Sequence, residues 1–147
     1  MTDKSGDPGV VAADPLTLAA RGWLRDLVSP WVNELGLVID KVDASAAQLR
    51  LPFDAKLCRD GGTICGQALA SAADTAMIMA IGGVLGGFKP MTTVNLNINF
   101  LRPVANGDVR ITARVIKPGK TLSYGEIEML NPEGKIAAHA TCTYAML

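Results

Sequence analysis

Ile64-Cys-Gly-Gln-Ala-Leu-Ala-Ser-Ala-Ala-Asp-Thr-Ala-Met-Ile-Met-Ala-Ile81 is the stretch from which the fold is read. Strong helix formers fill it, and apolar residues occur on every face. A helix apolar all round is a buried helix. One charged side chain, Asp74, interrupts the run. A carboxylate in such a place is costly unless it is paired, hydrogen-bonded or protonated, so Asp74 is the first candidate for chemistry. The helix is predicted from about Cys65 to Leu85, loosened or ended by Gly82-Gly83 and Gly86-Gly87.

Four strands are predicted beyond it. In Met91-Thr-Thr-Val-Asn-Leu-Asn-Ile-Asn-Phe100, Val94, Leu96, Ile98 and Phe100 alternate with Asn95, Asn97 and Asn99. Asn106-Gly107 turns the chain into a strand from Asp108 to Lys117. Pro118-Gly-Lys120 leads into Thr121–Leu130, and Asn131-Pro-Glu-Gly134 makes a hairpin into Ile136–Met146. Before the helix, Asp14-Pro15 is a helix start with Asp as N-cap. One or two amphipathic helices follow, interrupted by Pro30. Leu35–Val42 and Ala47–Phe53 read as a strand pair, and Lys56–Thr63 as a loop hinged at Gly61-Gly62. The order is α+β: an antiparallel sheet wrapped around one long buried helix. Residues 1–13 are small and polar and read as a flexible tail, leaving 14–147 as a single domain that includes the N-terminal helical segment.

Composition excludes several classes of function. Fourteen basic residues balance fourteen acidic ones, and no Lys/Arg cluster marks a nucleic-acid footprint. The longest uncharged apolar run, Thr75 to Phe88, falls short of the roughly 20 residues that span a bilayer. The N-terminus lacks the basic-then-apolar order of a signal peptide, so a cytoplasmic location and no membrane partner are expected. Three cysteines (58, 65, 142) and one histidine (139) offer no structural zinc pattern, and no metal or cofactor is expected. His139 lies in a strand and reads as structural.

Gln67, Ser71 and Asp74 fall at i, i+4 and i+7, on one helix face. They form either a working site or a polar seam whose members satisfy one another. The sequence Gly61-Gly-Thr-Ile-Cys-Gly66 runs into the helix N-terminus, where free N–H groups suit an oxyanion. Gly66 admits close approach to that backbone. Gly66 and Asp74 are eight residues apart, roughly 12 Å along the axis, too far to meet at one reacting group. Two antiparallel copies of the helix would bring Gly66 of one to Asp74 of the other, so a homodimer or homotetramer is expected.

Residues from about Gly62 to Met146 resemble the hotdog-fold thioesterases of the PaaI, phenylacetic acid degradation-related, type. That family opens its helix with His-Gly-Gly and carries an acidic residue nine positions after the His. Here the opening is Cys65-Gly66-Gln67, with Asp74 nine after Cys65. The family's next strand, Thr-x-x-Leu-x-x-x-Phe/Tyr-Leu-Arg-Pro, is matched by Thr93-Val-Asn-Leu-Asn-Ile-Asn-Phe-Leu-Arg-Pro103. Its late Gly-Lys turn and Gly-x-x-x-Ala strand are matched at Gly119-Lys120 and Gly134–Ala138. Cys65 stands for the family's His, Gln67 for its second Gly, and Arg59 where many relatives have Asn.

The resemblance implies a hotdog fold and hydrolysis of acyl-CoA thioesters at a site shared between two subunits. Coenzyme A is then part of the substrate and not a cofactor. It implies Asp74 as base or nucleophile, the Gly66 N–H as oxyanion donor, and Thr92 or Thr93 as a hydroxyl that orients water. Gln67 is a candidate for the water-orienting part that the missing His and Asn leave open. Cys65 reads as a packing residue, with a nucleophilic thiol as the alternative. Arg59, Ser71, Arg102, Lys117 and Lys120 are candidates for substrate binding. A protein that binds acyl-CoA without turning it over is the alternative function.

Overall fold

The computed structural model describes residues 13–147; apart from Ala13, the expected tail lies outside the described residues. Helix α1 (Pro15–Leu27) starts as its sequence predicts, with the Asp14 carboxylate accepting from Thr17 N–H at 2.9 Å. Pro30 does not kink it. The proline begins a separate short helix, α2 (Pro30–Asn33), with Ser29 as N-cap. The first predicted strand begins late, because Gly36 at φ 75° turns the chain between α2 and β1 (Val38–Val42). Strand β2 (Ala47–Leu51) stops before Pro52.

The long helix α3 (Gly66–Leu85) ends on Gly86, whose left-handed φ of 72° is a conformation that glycine adopts without a Cβ penalty. Strands β3 (Met91–Phe100), β4 (Val109–Lys117), β5 (Leu122–Leu130) and β6 (Ile136–Met146) complete one antiparallel sheet in the order β1-β2-β4-β5-β6-β3. By length and composition α3 could cross a membrane, but here it is the core helix. Ala72, Ala73, Ala76 and Ala80 keep it thin, and Leu69, Met77 and Ile81 fill the space to the inward side chains of the sheet. This is the hotdog arrangement.

The two edges of the sheet are treated differently. At β1, Thr17 Oγ1 accepts from Val42 N–H (3.1 Å) and the Arg21 guanidinium donates to the Ile39 carbonyl (3.1 Å), so α1 covers that edge. Strand β3 pairs with β6 alone among the described residues, and leaves a ten-residue edge with Val94 60% and Phe100 52% exposed. A long uncovered edge is a template for another strand.

One feature of β3 overturns the simple alternation. Thr93 pairs with Tyr144 and Asn95 with Thr143, so Val94 is an extra residue, a β-bulge. Leu96, Ile98 and Phe100 face the helix with their partners Cys142, Ala140 and Ala138, as expected. Val94 does not join them. The bulge resets the phase, turning Thr93 inward beside Tyr144 and leaving Thr92, opposite Ala145, on the outer face.

Candidate active site

Asp74 sits in the middle of α3 and is half-buried rather than enclosed. Its charge is met by two hydroxyls. Thr93 Oγ1 donates to Oδ1 at 2.8 Å. The Tyr144 hydroxyl donates to the same Oδ1 and lies 2.7 Å from the Asp74 backbone carbonyl. Thr93 and Tyr144 are direct cross-strand partners, so both donors come from one rung of the sheet. Tyr144 is 1% exposed. Burial and the nearby Asp74 charge push its phenol far up, so it remains a donor. Burial raises the Cys142 thiol, next inward on β6, to about 12.

A cavity of about 210 Å³ opens beside Asp74 and Thr75. Trp23, Val28 and Val32 of the N-terminal helical segment form one wall, and Ile78, Phe88 and Met91 the other. Most of the lining side chains are apolar, and Ser29, Asp74 and Thr75 add polar groups, as in sites that bind a small apolar group next to a reactive one.

Gly66 belongs to a different cleft, of about 400 Å³, at the N-terminal end of the helix. Cys65 is the N-cap but makes no side-chain capping bond, and Leu69 N–H makes the first helical bond, to the Cys65 carbonyl. The N–H groups of Gly66, Gln67 and Ala68 precede that bond, as helix N-termini require. A Cβ on residue 66 would stand 3.1 Å from the Phe100 ring, so glycine lets the inner end of β3 close against the helix. No residue lines both the Gly66 cleft and the Asp74 cavity. Within one chain the two groups do not converge.

The other candidates separate in the same way. Arg59 and Arg102 both line the Gly66 cleft, and Arg102 is held by donating to the Ile136 carbonyl at 2.7 Å. Lys120 lines a groove at the opposite end of α3 with Leu85 and Lys89, and Lys117 is exposed at the end of β4. Gln67 and Cys65 line a third cavity, of about 240 Å³, against Trp31 and Leu35, and not the cavity of Asp74. The hydroxyls of Ser71 and Thr75 donate back to the carbonyls of Gln67 and Ser71. Within the polar stripe, Ser71 is thus satisfied by its own helix, while Asp74 is met from the sheet. Of the two threonines, the bulge brings Thr93 to Asp74 and leaves Thr92 outside.

Sequence reasoning missed Tyr144. The available signal was its inward phase with Ala138, Ala140 and Cys142, since a buried tyrosine hydroxyl needs a partner. His139 lies on the outer face, 3.3 Å from Glu126, away from Asp74. Among the described residues no three His, Cys, Asp or Glu side chains cluster as a metal site would require.

The chain matches the sequence model of the thioesterase superfamily over residues 61–138. It is 32% identical over 114 residues to a protein of Saccharolobus solfataricus that carries an esterase name, an alignment covering 78% of this chain and 75% of the relative. It is 34% identical over 84 residues to acyl-coenzyme A thioesterase 13 of Pongo abelii, covering 56% and 59% of the two. A solved structure from Ralstonia eutropha, described as a thioesterase and a phenylacetic acid degradation-related protein, is 28% identical. It superposes with a TM-score of 0.75, covering 87% of this chain and 99% of that one.

Proposed function

We propose that this chain, which belongs to the thioesterase superfamily, hydrolyses acyl-CoA thioesters at a site assembled from two copies. The observation that carries the proposal is the split between Gly66 and Asp74. An oxyanion donor and a carboxylate lie on one helix, each opening into its own cavity. Pairing the uncovered β3 edges of two copies would set their helices side by side and antiparallel, joining the Gly66 cleft of one to the Asp74 cavity of the other.

In that site the thioester carbonyl lies against the Gly66 N–H, which takes up the negative charge of the tetrahedral intermediate. Thr93 and Tyr144 both bond Oδ1 of Asp74, and no donor among the described residues meets Oδ2. Whether water or the carboxylate attacks, Oδ2 is the reacting oxygen. With water, Oδ2 takes its proton, the new C–O bond forms, the C–S bond breaks, and the proton passes to the leaving CoA thiolate. The acyl group occupies the apolar cavity walled by Trp23 and Phe88. Arg59 and Arg102, beside Gly66, are the cations best placed to meet the CoA phosphates. Lys117 and Lys120 would need the partner's geometry to take part.

The test is release of free CoA from a panel of acyl-CoA substrates, followed with a thiol-reactive dye. Turnover that depends on Asp74 is expected. Saturable binding of acyl-CoA without release would establish the binding protein instead, and neither binding nor release would overturn both.

A further inference from the structure

Tyr144 is buried, yet its hydroxyl reaches two acceptors on Asp74, the carboxylate Oδ1 and the backbone carbonyl. Contact with both fixes the side chain relative to its own backbone and so selects one rotamer. Thr93 alone would leave more freedom: it donates a single bond from an edge strand, and its own rotamer is not locked by burial. Tyr144 lies on β6, held between β3 and β5 through the pairs with Thr93 and Ser123.

We infer that Tyr144 is the positioning residue of this site, holding Asp74 in one rotamer with Oδ2 toward the cavity. The inference rests on Asp74 being the reactive group of the proposed hydrolysis.

The surroundings leave Tyr144 as the controlling titratable neighbour. From β6 the groups near Asp74 are Tyr144 and Cys142, and both stay protonated through the physiological range because burial disfavours their anions. From β3 it is Thr93, which does not titrate. The N-terminal helical segment presents Trp23, Val28, Ser29 and Val32, none of them charged. On α3 itself Thr75 and Ile78 are neutral. With no cation against the carboxylate among these residues, hydroxyl donors supply the stabilisation of its charge. Tyr144 therefore gives Asp74 a fixed direction through a donor that keeps its own proton.

The experiment is Tyr144→Phe, which removes one oxygen from a buried ring. Three readings are taken. In steady-state kinetics on the best acyl-CoA, kcat should fall roughly ten- to a hundredfold with KM changed less than about twofold. In NMR of aspartate-labelled protein, with Asp74 assigned by its loss in Asp74→Asn, the three-bond couplings that report its side-chain torsion should average over rotamers in Tyr144→Phe. In the wild type the same couplings should report a single Asp74 rotamer; this reading stands even if the variant does not fold. A single Asp74 rotamer retained in folded Tyr144→Phe, or several rotamers in the wild type, overturns the inference. So does an unchanged kcat in the folded variant of an active enzyme. The NMR readings need no turnover, so failure of the hydrolase reading and failure of this one are told apart.

Discussion

Thr93 and Tyr144 face each other across strands β3 and β6, and both hydroxyls end on the same oxygen of Asp74. One rung of the sheet thus fixes the only charged side chain of the core helix, and the consequences of changing that carboxylate can be stated.

Asp74→Asn should lower kcat by about a thousandfold, within the range for losing a general base, and leave the fold intact. The amide oxygen still accepts from Thr93 and Tyr144, so the melting temperature should move by no more than a few degrees. Wild-type turnover in the purified variant would make Asp74 a structural residue.

A shared site predicts complementation. Light scattering at micromolar concentration should give a dimer or a dimer of dimers with closed symmetry. Gly66→Val, whose side chain would meet the Phe100 ring, and Asp74→Asn should each be inactive alone. Co-assembled from unfolded chains, they should regain about a quarter of wild-type activity, because half of the dimers are mixed and each has one intact site. A monomer, or no recovery in demonstrated mixed dimers, would remove the shared site.

Cys65→Ser separates packing from nucleophilic chemistry. Cys65 caps α3 by position but gives no side-chain bond; serine at an N-cap accepts from the helix N–H groups and should add about 0.5–1 kcal/mol of stability. Turnover should change less than about fivefold. An acyl group trapped on Cys65, seen by mass spectrometry, would reassign the nucleophile.

Stability should decline in alkali. The Cys142 thiol is raised from 9.0 to about 12 by burial and by the Asp74 charge. Below 9.0 both folded and unfolded chains hold the proton. Above it only the folded chain does, so stability falls as pH climbs toward about 12, by about 1.4 kcal/mol per pH unit. Tyr144, shifted in the same direction from 10.0, adds to the loss. Denaturant titrations in reductant should show the decline, and Cys142→Ala should flatten it. A thiol reagent at pH 8 should label half-buried Cys58 and Cys65 and reach Cys142 only on unfolding.

Most elements were legible because each is announced within a few residues. Asp14 and Pro15 start α1, Gly86 ends α3, and the alternation through Asn95, Asn97 and Asn99 marks β3. The errors have local causes. Leu35 and Gly36 read as strand because the preceding short helix needed Gly36 at positive φ to turn out of it. Val94 read as sharing a face with Leu96 because period-two counting cannot register an inserted residue. That bulge also made Thr92 and Thr93 indistinguishable as partners of Asp74. Gln67 read as a neighbour of Asp74 from helical spacing alone, yet it borders a cavity formed by Trp31 and Leu35, which spacing along one helix does not reveal.

By itself, the sequence determined the order of helices and strands, the central place of α3, and the distance between the candidates Asp74 and Gly66. These follow from rise per residue, side-chain periodicity and the cost of an unpartnered carboxylate, all of which act locally. The tertiary structure alone decided which hydroxyls meet that carboxylate. Tyr144 is seventy positions from Asp74, and it arrives there only because β6 is flanked by β3 and β5 while α3 lies across the sheet's inner face. Thr93 joins it only because a bulge turned it inward. Contacts of that kind depend on how a helix packs on a sheet and in which register two strands pair, and no short-range propensity encodes either one.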